Sequence, residues 1–340
     1  MRVFGWLCDR QGVGYYRLGL PATQLANHGH HIAVDSDIPP WAVDGDVDVI
    51  VGQRVALPGP SRLWQQMAQD RRAKLVYELD DDLWNIEPDN RQAYRVFNAD
   101  HVRRSSAFLD DGMTRRMSEN IRVADVVTVS TEPLAELVSQ WNPNVVVLPN
   151  MIPSWLLDQP MPNQLTERVT IGWGGSPTHA RDFGEAAKPL KRVLQRFGDG
   201  LEFHCIGTDY TARVASRRTR TRHTLWFPSV DDSIRAIDYQ IGIAPLRPSL
   251  FNSSKSDLKL LEYSALGIPS VVSYTGPYAR AIDAGAPARF AESHKDWERE
   301  LVALVQSPMD REQLGKEARE WASHRTIEEH WTMWEAAYAR

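Results

Sequence analysis

The sequence predicts an α/β protein made of two doubly wound, Rossmann-like parallel sheets facing a cleft. Three observations predict it. Short apolar, β-rich runs alternate with stretches of helical period along nearly the whole chain, which implies right-handed βαβ crossovers. The alternation stops once, over residues 148–166, where Pro149, Pro153, Pro160 and Pro162 fall with little periodicity, and then restarts. The length, 340 residues, suits two domains of ordinary size.

In the first half the strand candidates are residues 3–8, 31–34, 47–51, 75–79, 126–129 and 145–148. Several are apolar almost throughout, as parallel strands covered on both faces should be. Helical stretches at 21–28, 62–70, 102–122 and 132–140 separate most of them. Pro21 suits the first turn of its helix and Gly29 the position past its end. In the second half the strands fall at 169–173, 201–206, 224–227, 240–244 and 270–273, with helices near 183–197, 233–237, 256–265 and 277–284. The tail from 294 to 340 reads as helical and is rich in Trp and charge. The expected organisation is a domain over 1–150, a connection over 151–166, a second domain over 167–315 and closing helices over 316–340. Sheets of this kind bind ligands beyond the carboxyl ends of their strands.

Composition narrows the function classes. Hydrophobic residues at 42% can fill large cores, which argues against intrinsic disorder. With 39 basic and 44 acidic side chains, the net charge of −5 argues against a generally basic nucleic-acid coat. The two cysteines, Cys8 and Cys205, sit in apolar runs and read as buried thiols. They cannot form a disulfide scaffold or a Cys-based zinc site, which points to a reducing compartment. No apolar run approaches the ~18 residues of a membrane span, and Asp9 and Arg10 interrupt the first apolar stretch before a signal peptide could form. The expectation is a cytoplasmic protein.

Three loops carry chemistry. The first strand runs into Gly12-Val13-Gly14, followed by Tyr15, Tyr16 and Arg17. Glycines after a strand let a backbone approach a phosphate or sugar. A dinucleotide fingerprint wants a third glycine where Arg17 stands, yet Asp35 closes the second strand about where a ribose-binding acid would lie. A NAD-type oxidoreductase and a plain strand-to-helix turn both remain open on this motif. The second loop, Gly174-Gly175-Ser176-Pro177-Thr178-His179-Ala180-Arg181, offers backbone N–H groups, hydroxyls and cations to an anion, or else a capped helix start. The third follows the strand ending near Ala244 and leads into a helix closed by Gly267 and Pro269. Lys255 and Lys259, four apart, are expected on one face near that helix's N-terminus, where cations are unfavourable unless an anion is bound. A nucleoside diphosphate would supply the anion, and Glu262, one turn on, would accept from ribose hydroxyls. A solvated basic face is the alternative.

On these residues the chain resembles the GT-B nucleotide-sugar glycosyltransferases of the retaining, group-1 kind. Gly12-Val13-Gly14 resembles the family's first glycine loop, and His28-Gly29-His30-His31-Ile32 its lead-in to the second strand. Residues 124–130 resemble the strand closing the N-terminal sheet, and Pro149-Asn150 the turn leading to the second domain. Gly175 matches the glycine before a phosphate-binding Arg…Lys pair, with Ser176 at the Arg position and Arg181 at the Lys position. Glu262, followed by Gly267-x-Pro269, matches the second Glu of the E-x7-E motif, and Ser254 replaces the first. The Asn252-x-x-Lys255-Ser256 form resembles a bacterial or phage-like branch.

The resemblance implies an enzyme that moves a sugar, with retention, from a UDP- or GDP-linked donor to an unidentified acceptor, with no cofactor and no catalytic metal. It implies donor phosphate contacts at Gly175, Ser176, His179, Arg181, Lys255 and Lys259, a donor ribose contact at Glu262, and a base cradled near residues 227–230. The N-terminal domain would take the acceptor, near Tyr16, Arg17 and Asp82, and the last helix would cross back to it. A non-catalytic nucleotide-sugar binder is a further alternative.

Asp80-Asp81-Asp82 follow a strand, so they face the ligand edge of the sheet. Adjacent carboxylates repel and raise at least one pKa. Asp81 and Asp80 are therefore the candidate catalytic groups, orienting a hydroxyl or acting as base; capping of a turn before Leu83-Trp84 is the alternative. Arg213, Arg217, Arg218, Arg220, Arg222 and His223 form a basic run expected in a loop, either solvated or offered to a polyanionic acceptor such as DNA.

Overall fold

The computed structural model describes residues 1–10, 12–91, 93–94 and 112–340. Two six-stranded sheets, each parallel throughout, carry the fold. The first comprises β1 (Arg2–Trp6), β2 (His31–Asp35), β3 (Val49–Gln53), β4 (Lys74–Leu79), β5 (Val126–Val129) and β6 (Val145–Val147), in the order β2-β1-β3-β4-β5-β6. The second comprises β7 (Val169–Gly175), β8 (Leu201–Gly207), β9 (Arg220–Thr224), β10 (Ile241–Ala244), β11 (Ser270–Ser273) and β12 (Arg289–Ala291), in the order β12-β11-β10-β7-β8-β9. Each sheet starts in the middle, builds outward, then returns to the other side of its first strand. The order therefore reverses between β1 and β3, and between β7 and β10, and the carboxyl ends there are where open α/β sheets take ligands. The expected doubly wound, two-sheet class is the class observed.

Packing divides the chain into two units. One contains Met1–Met151, Ser254–Ser256 and Ile327–Arg340; the other contains Ile152–Ser253 and Asp257–Thr326. Residues 152–166, read above as a connection, lie in the second unit, where Ile152 and Leu156 are fully buried. The closing segments Ile327–His330 and Thr332–Ala339 lie in the first, with Trp334, Ala337 and Tyr338 buried. His28 stacks on Trp331 at 3.9 Å, and His30 Nε2 lies 2.8 Å from Glu335 Oε1.

The cores follow from periodicity. In the helix Ala180–Phe197, Phe183, Ala186, Leu190, Val193 and Leu194 recur every three or four residues and are all buried. With β7, β8 and β10 they enclose an aromatic cluster of Trp173, Phe183, Phe203 and Tyr210. Each such side chain withdrawn from water contributes roughly 1.5–3 kcal/mol before entropy is counted.

Four sequence expectations need correction. The strand expected at 224–227 is β9, Arg220–Thr224, so much of the basic run is strand rather than loop. It is an edge strand, and its side chains meet carboxylates instead of core. The short strand β12 was not anticipated. Cys8 lies beyond β1 and is exposed, whereas Cys205 is buried. The helix expected from 102 begins at Met113, and residues 102–111 of that expectation lie outside the described residues.

Candidate functional site

In the first unit, the strand ends are occupied by the chain's own charges. After β1 the backbone turns through Gly12–Gly14 into the helix Leu20–Asn27. A Cβ on Gly14 would stand 1.8 Å from the Asp9 carbonyl oxygen, so this glycine is required by the turn itself. Asp35 accepts from the Ser36 N–H and from Arg10 Nη2, both at 2.6 Å, and the backbone N–H groups of Ser36 and Asp37 hold it below the usual carboxylate range. The dinucleotide reading thus lacks its third glycine and finds its acid already engaged.

Tyr16 and Arg17, expected on the acceptor side, are core residues, 4% and 1% exposed. Arg17 grips Glu78 at the end of β4 through Nε–Oε1 at 2.6 Å and Nη2–Oε2 at 3.2 Å. Its Nη1 donates to Leu148 O and, at 3.1 Å, to Asn150 Oδ1, and the Thr128 hydroxyl donates to Glu78. A guanidinium spent on four acceptors and sealed from water cannot meet a substrate.

The aspartate triplet is equally engaged. Arg54, just past β3 in a left-handed conformation (φ 48), donates to both Asp80 and Asp81, the latter at 2.9 Å. Burial pushes Asp80 up, Arg54 opposes it, and Asp81 adds to it. Asp81 gives its other oxygen to Lys255 Nζ at 3.0 Å. Asp82 is buried and caps a turn, accepting from Asn85 N and Nδ2 at 3.1 and 2.7 Å. So the capping reading holds for Asp82, and Asp80 is fixed by a cation that sequence reasoning missed. A lone Arg after a strand gives no signal of this; only the fold brings it to residue 80. Among the described residues no three His, Cys, Asp or Glu side chains gather as metal ligands.

Lys255 departs most from expectation. The helix begins at Leu258, so Lys255 stands outside it and shares no helical face with Lys259. Its tripeptide belongs to the first unit, tied by Thr131 Oγ1 to Ser254 O and by Asn150 Nδ2 to Ser256 Oγ, each at 2.7 Å.

The second unit assembles the rest around its reversal point. Gly175 closes β7, and a Cβ there would lie 2.4 Å from the Trp173 ring. The Ser176 and Thr178 hydroxyls are 2.7 Å apart, beside a short turn Pro177–His179 that leads into the helix Ala180–Phe197. His179 Nδ1 lies 2.9 Å from Asp182 Oδ2 in the first turn, and Arg181 lies between them in sequence. From the loop after β10, the Arg247 N–H and Asn252 Nδ2 donate to Asp182 Oδ1 at 3.1 and 2.8 Å. Lys259, second residue of the helix Leu258–Ala265, donates to Gly174 O at 2.6 Å and lies over the Tyr263 ring. Burial pushes its ammonium below the usual lysine range, and Glu262, three residues on, opposes that. Gly175, Ser176, His179, Arg181, Lys259 and Glu262 therefore belong to one unit, and Lys255 to the other.

Two arginines of the basic run are paired with carboxylates. Arg220 Nε meets Asp199 at 2.8 Å, and Arg222 meets Glu202 and Asp238 at 3.1 and 2.7 Å. Asp238 also meets His204 Nδ1 at 2.8 Å. Arg213 donates to Ala180 O and lies over Tyr210. No helix among the described residues is long and apolar enough to cross a membrane.

No protein-family profile and no curated protein sequence matches the chain. Solved structures do. It is similar over its full length to a sucrose-phosphate synthase from Thermosynechococcus elongatus, at 12% identity and TM-score 0.66, covering 98% of that chain. An α-glucosyltransferase in complex with UDP matches at 11% identity and TM-score 0.64, with all of both chains covered. Anabaena HepE, in complex with UDP and glucose, matches at 12% identity and TM-score 0.64 over 99% of this chain and 98% of that one. The fold is therefore the GT-B fold of glycosyltransferases, as the sequence resemblance implied.

Proposed function

We propose that this protein is a glycosyltransferase that moves a sugar from a nucleoside-diphosphate sugar to an acceptor. The observation that carries the reading is Lys259. A desolvated ammonium at the positive end of a helix, facing a strand-end carbonyl, is an unfavourable arrangement that a diphosphate would relieve. It stands at the end of β7, at the sheet's reversal point, in the same unit as Gly175, Ser176, His179 and Arg181, with Glu262 three residues on for a ribose hydroxyl. The leaving diphosphate gains charge as the glycosidic bond breaks, and cations and N–H groups already in place there stabilise that charge. UDP or GDP as the nucleotide, and retention at the anomeric carbon, belong to the same proposal; two of the similar structures hold UDP.

Calorimetry against UDP, GDP, ADP and NAD tests it, followed by donor hydrolysis or transfer in an acceptor screen. Lys259→Ala should weaken UDP binding by about 1.5–3 kcal/mol, the scale of a lost hydrogen bond to a charged group, and leave the unliganded melting temperature nearly unchanged. Tight NAD binding without nucleoside diphosphate binding would end the reading. Binding without turnover of any donor would leave a nucleotide-sugar binder.

A further inference from the structure

We propose that His179 engages the diphosphate as an imidazolium, that Asp182 enforces this, and that nucleoside diphosphate binding therefore takes up a proton. The inference rests on the donor reading above and deepens it. Asp182 has a side chain only 7% exposed, and its two oxygens are filled from different directions. Oδ1 accepts the Arg247 N–H and Asn252 Nδ2. Neither donor can reverse: the first is backbone, and Asn252 Nδ2 also donates to Arg247 O at 2.9 Å. Oδ2 faces His179 Nδ1 at 2.9 Å.

A carboxylate only accepts, so the ring proton sits on Nδ1. The neutral ring then presents a lone pair at Nε2, the edge away from Asp182. A phosphate oxygen is also an acceptor, and two lone pairs repel. The ring can hold a phosphate only after Nε2 gains a proton, which comes from solvent. Trp173 packs edge-on against the imidazole at 6.5 Å, and the side chain keeps 29% of its surface in contact with water. His179 immediately precedes the eighteen-residue helix Ala180–Phe197, whose N-terminal end favours an anion at the same spot.

Arg181 and Glu185 share the helix. From the segment after β8, the Tyr210 hydroxyl donates to Ser176 O and Arg213 to Ala180 O. On the helix Gly276–Asp283 the Tyr278 hydroxyl is held protonated by burial, with Asp182 adding to the effect. Among the described residues, Asp182 is the partner of a His179 ring nitrogen.

The test is titration calorimetry of the full chain with UDP at about pH 8, where free imidazole is mostly neutral and the diphosphate fully ionised. Repeating it in buffers of different protonation enthalpy gives the protons exchanged. The expected result is uptake approaching one proton per UDP and none with uridine, which lacks phosphate. Asp182→Asn can turn an amide N–H to Nδ1 and so allows a neutral ring with hydrogen on Nε2. This variant should bind UDP with the uptake largely gone. His179→Asn should lose both the uptake and much of the affinity, and it decides the matter alone if Asp182→Asn does not fold. UDP binding without proton uptake by the wild type, or undiminished uptake by His179→Asn, overturns the inference and leaves the donor reading standing. If neither UDP nor GDP binds the wild type, the donor reading fails and the inference falls with it.

Discussion

The two units end their strands in opposite ways. In the first, the cations at the carboxyl edge of β3 and β4 have counter-charges: Arg17 with Glu78, and Arg54 and Lys255 with Asp80 and Asp81. In the second, the matching edge carries glycines, hydroxyls, an imidazole and an ammonium whose hydrogen-bond partner is a carbonyl. A closed set of charges stabilises an edge and leaves it little to offer an anion. An edge with excess donors is less favourable alone and gains when an anion arrives. The contrast makes the second edge the candidate for the diphosphate binding proposed above.

The largest effect should come from breaking the closed set. Arg17→Met leaves Glu78 buried and unpaired, and urea unfolding should show a loss of about 3–5 kcal/mol. Arg17→Lys should not restore it, because a point charge cannot satisfy the same fork of acceptors. A double change of Arg17→Met with Glu78→Leu should recover much of the loss; if it does not, the pair matters for more than charge balance.

Next is the open edge, where Lys259→Ala acts on UDP affinity and not on the unliganded protein. Lys255→Ala sharpens the contrast. Its ammonium is already paired with Asp81 in a partly exposed bridge, so its removal should lower the unliganded stability by about 1 kcal/mol or less. It should alter UDP affinity far less than Lys259→Ala does. Equal losses in the two variants would erase the distinction between the edges.

The smallest effect concerns pH. Burial alone would raise Asp238, but hydrogen bonds from His204 and Arg222 prevail and hold it below the usual carboxylate range. A carboxyl lowered on folding contributes stability above its unfolded pKa of about 3.9 and loses it as pH falls through the folded value. Melting temperatures measured from neutral pH down toward about pH 3 should thus fall less steeply for Asp238→Asn than for the wild type. The difference should stay below about 1 kcal/mol, because half of the side chain is in water.

The sheets were legible in the sequence because their strands are buried on both faces and read as apolar runs; β3, with all five residues buried, is the clearest. Edge strand β9 was not, since Arg220, Arg222 and His223 follow no apolar pattern, and they find partners, Asp199 for Arg220, Glu202 and Asp238 for Arg222 and the Gly207 carbonyl for His223, only once the sheet exists. The second glycine loop was legible as a strand end rich in donors. Its link to Asn252 was not, because 70 residues separate that amide from Asp182. The start of the Lys259 helix was misplaced for a similar reason. Asp257, the residue before it, is fixed by Arg325 through two hydrogen bonds, a partner 68 residues downstream that no local pattern announces.

The return of residues 327–340 to the first unit has a consequence for the order of synthesis. The first sheet is made before the second unit, yet Trp334, Ala337 and Tyr338, which bury themselves in the first unit, are made after the last residue of the second. At roughly 5–20 residues per second, the surface they cover stays open for about ten to forty seconds after residue 151. Nearly all of the second unit is complete before that surface closes. The unit that holds the first sheet is therefore completed only after the second has been made.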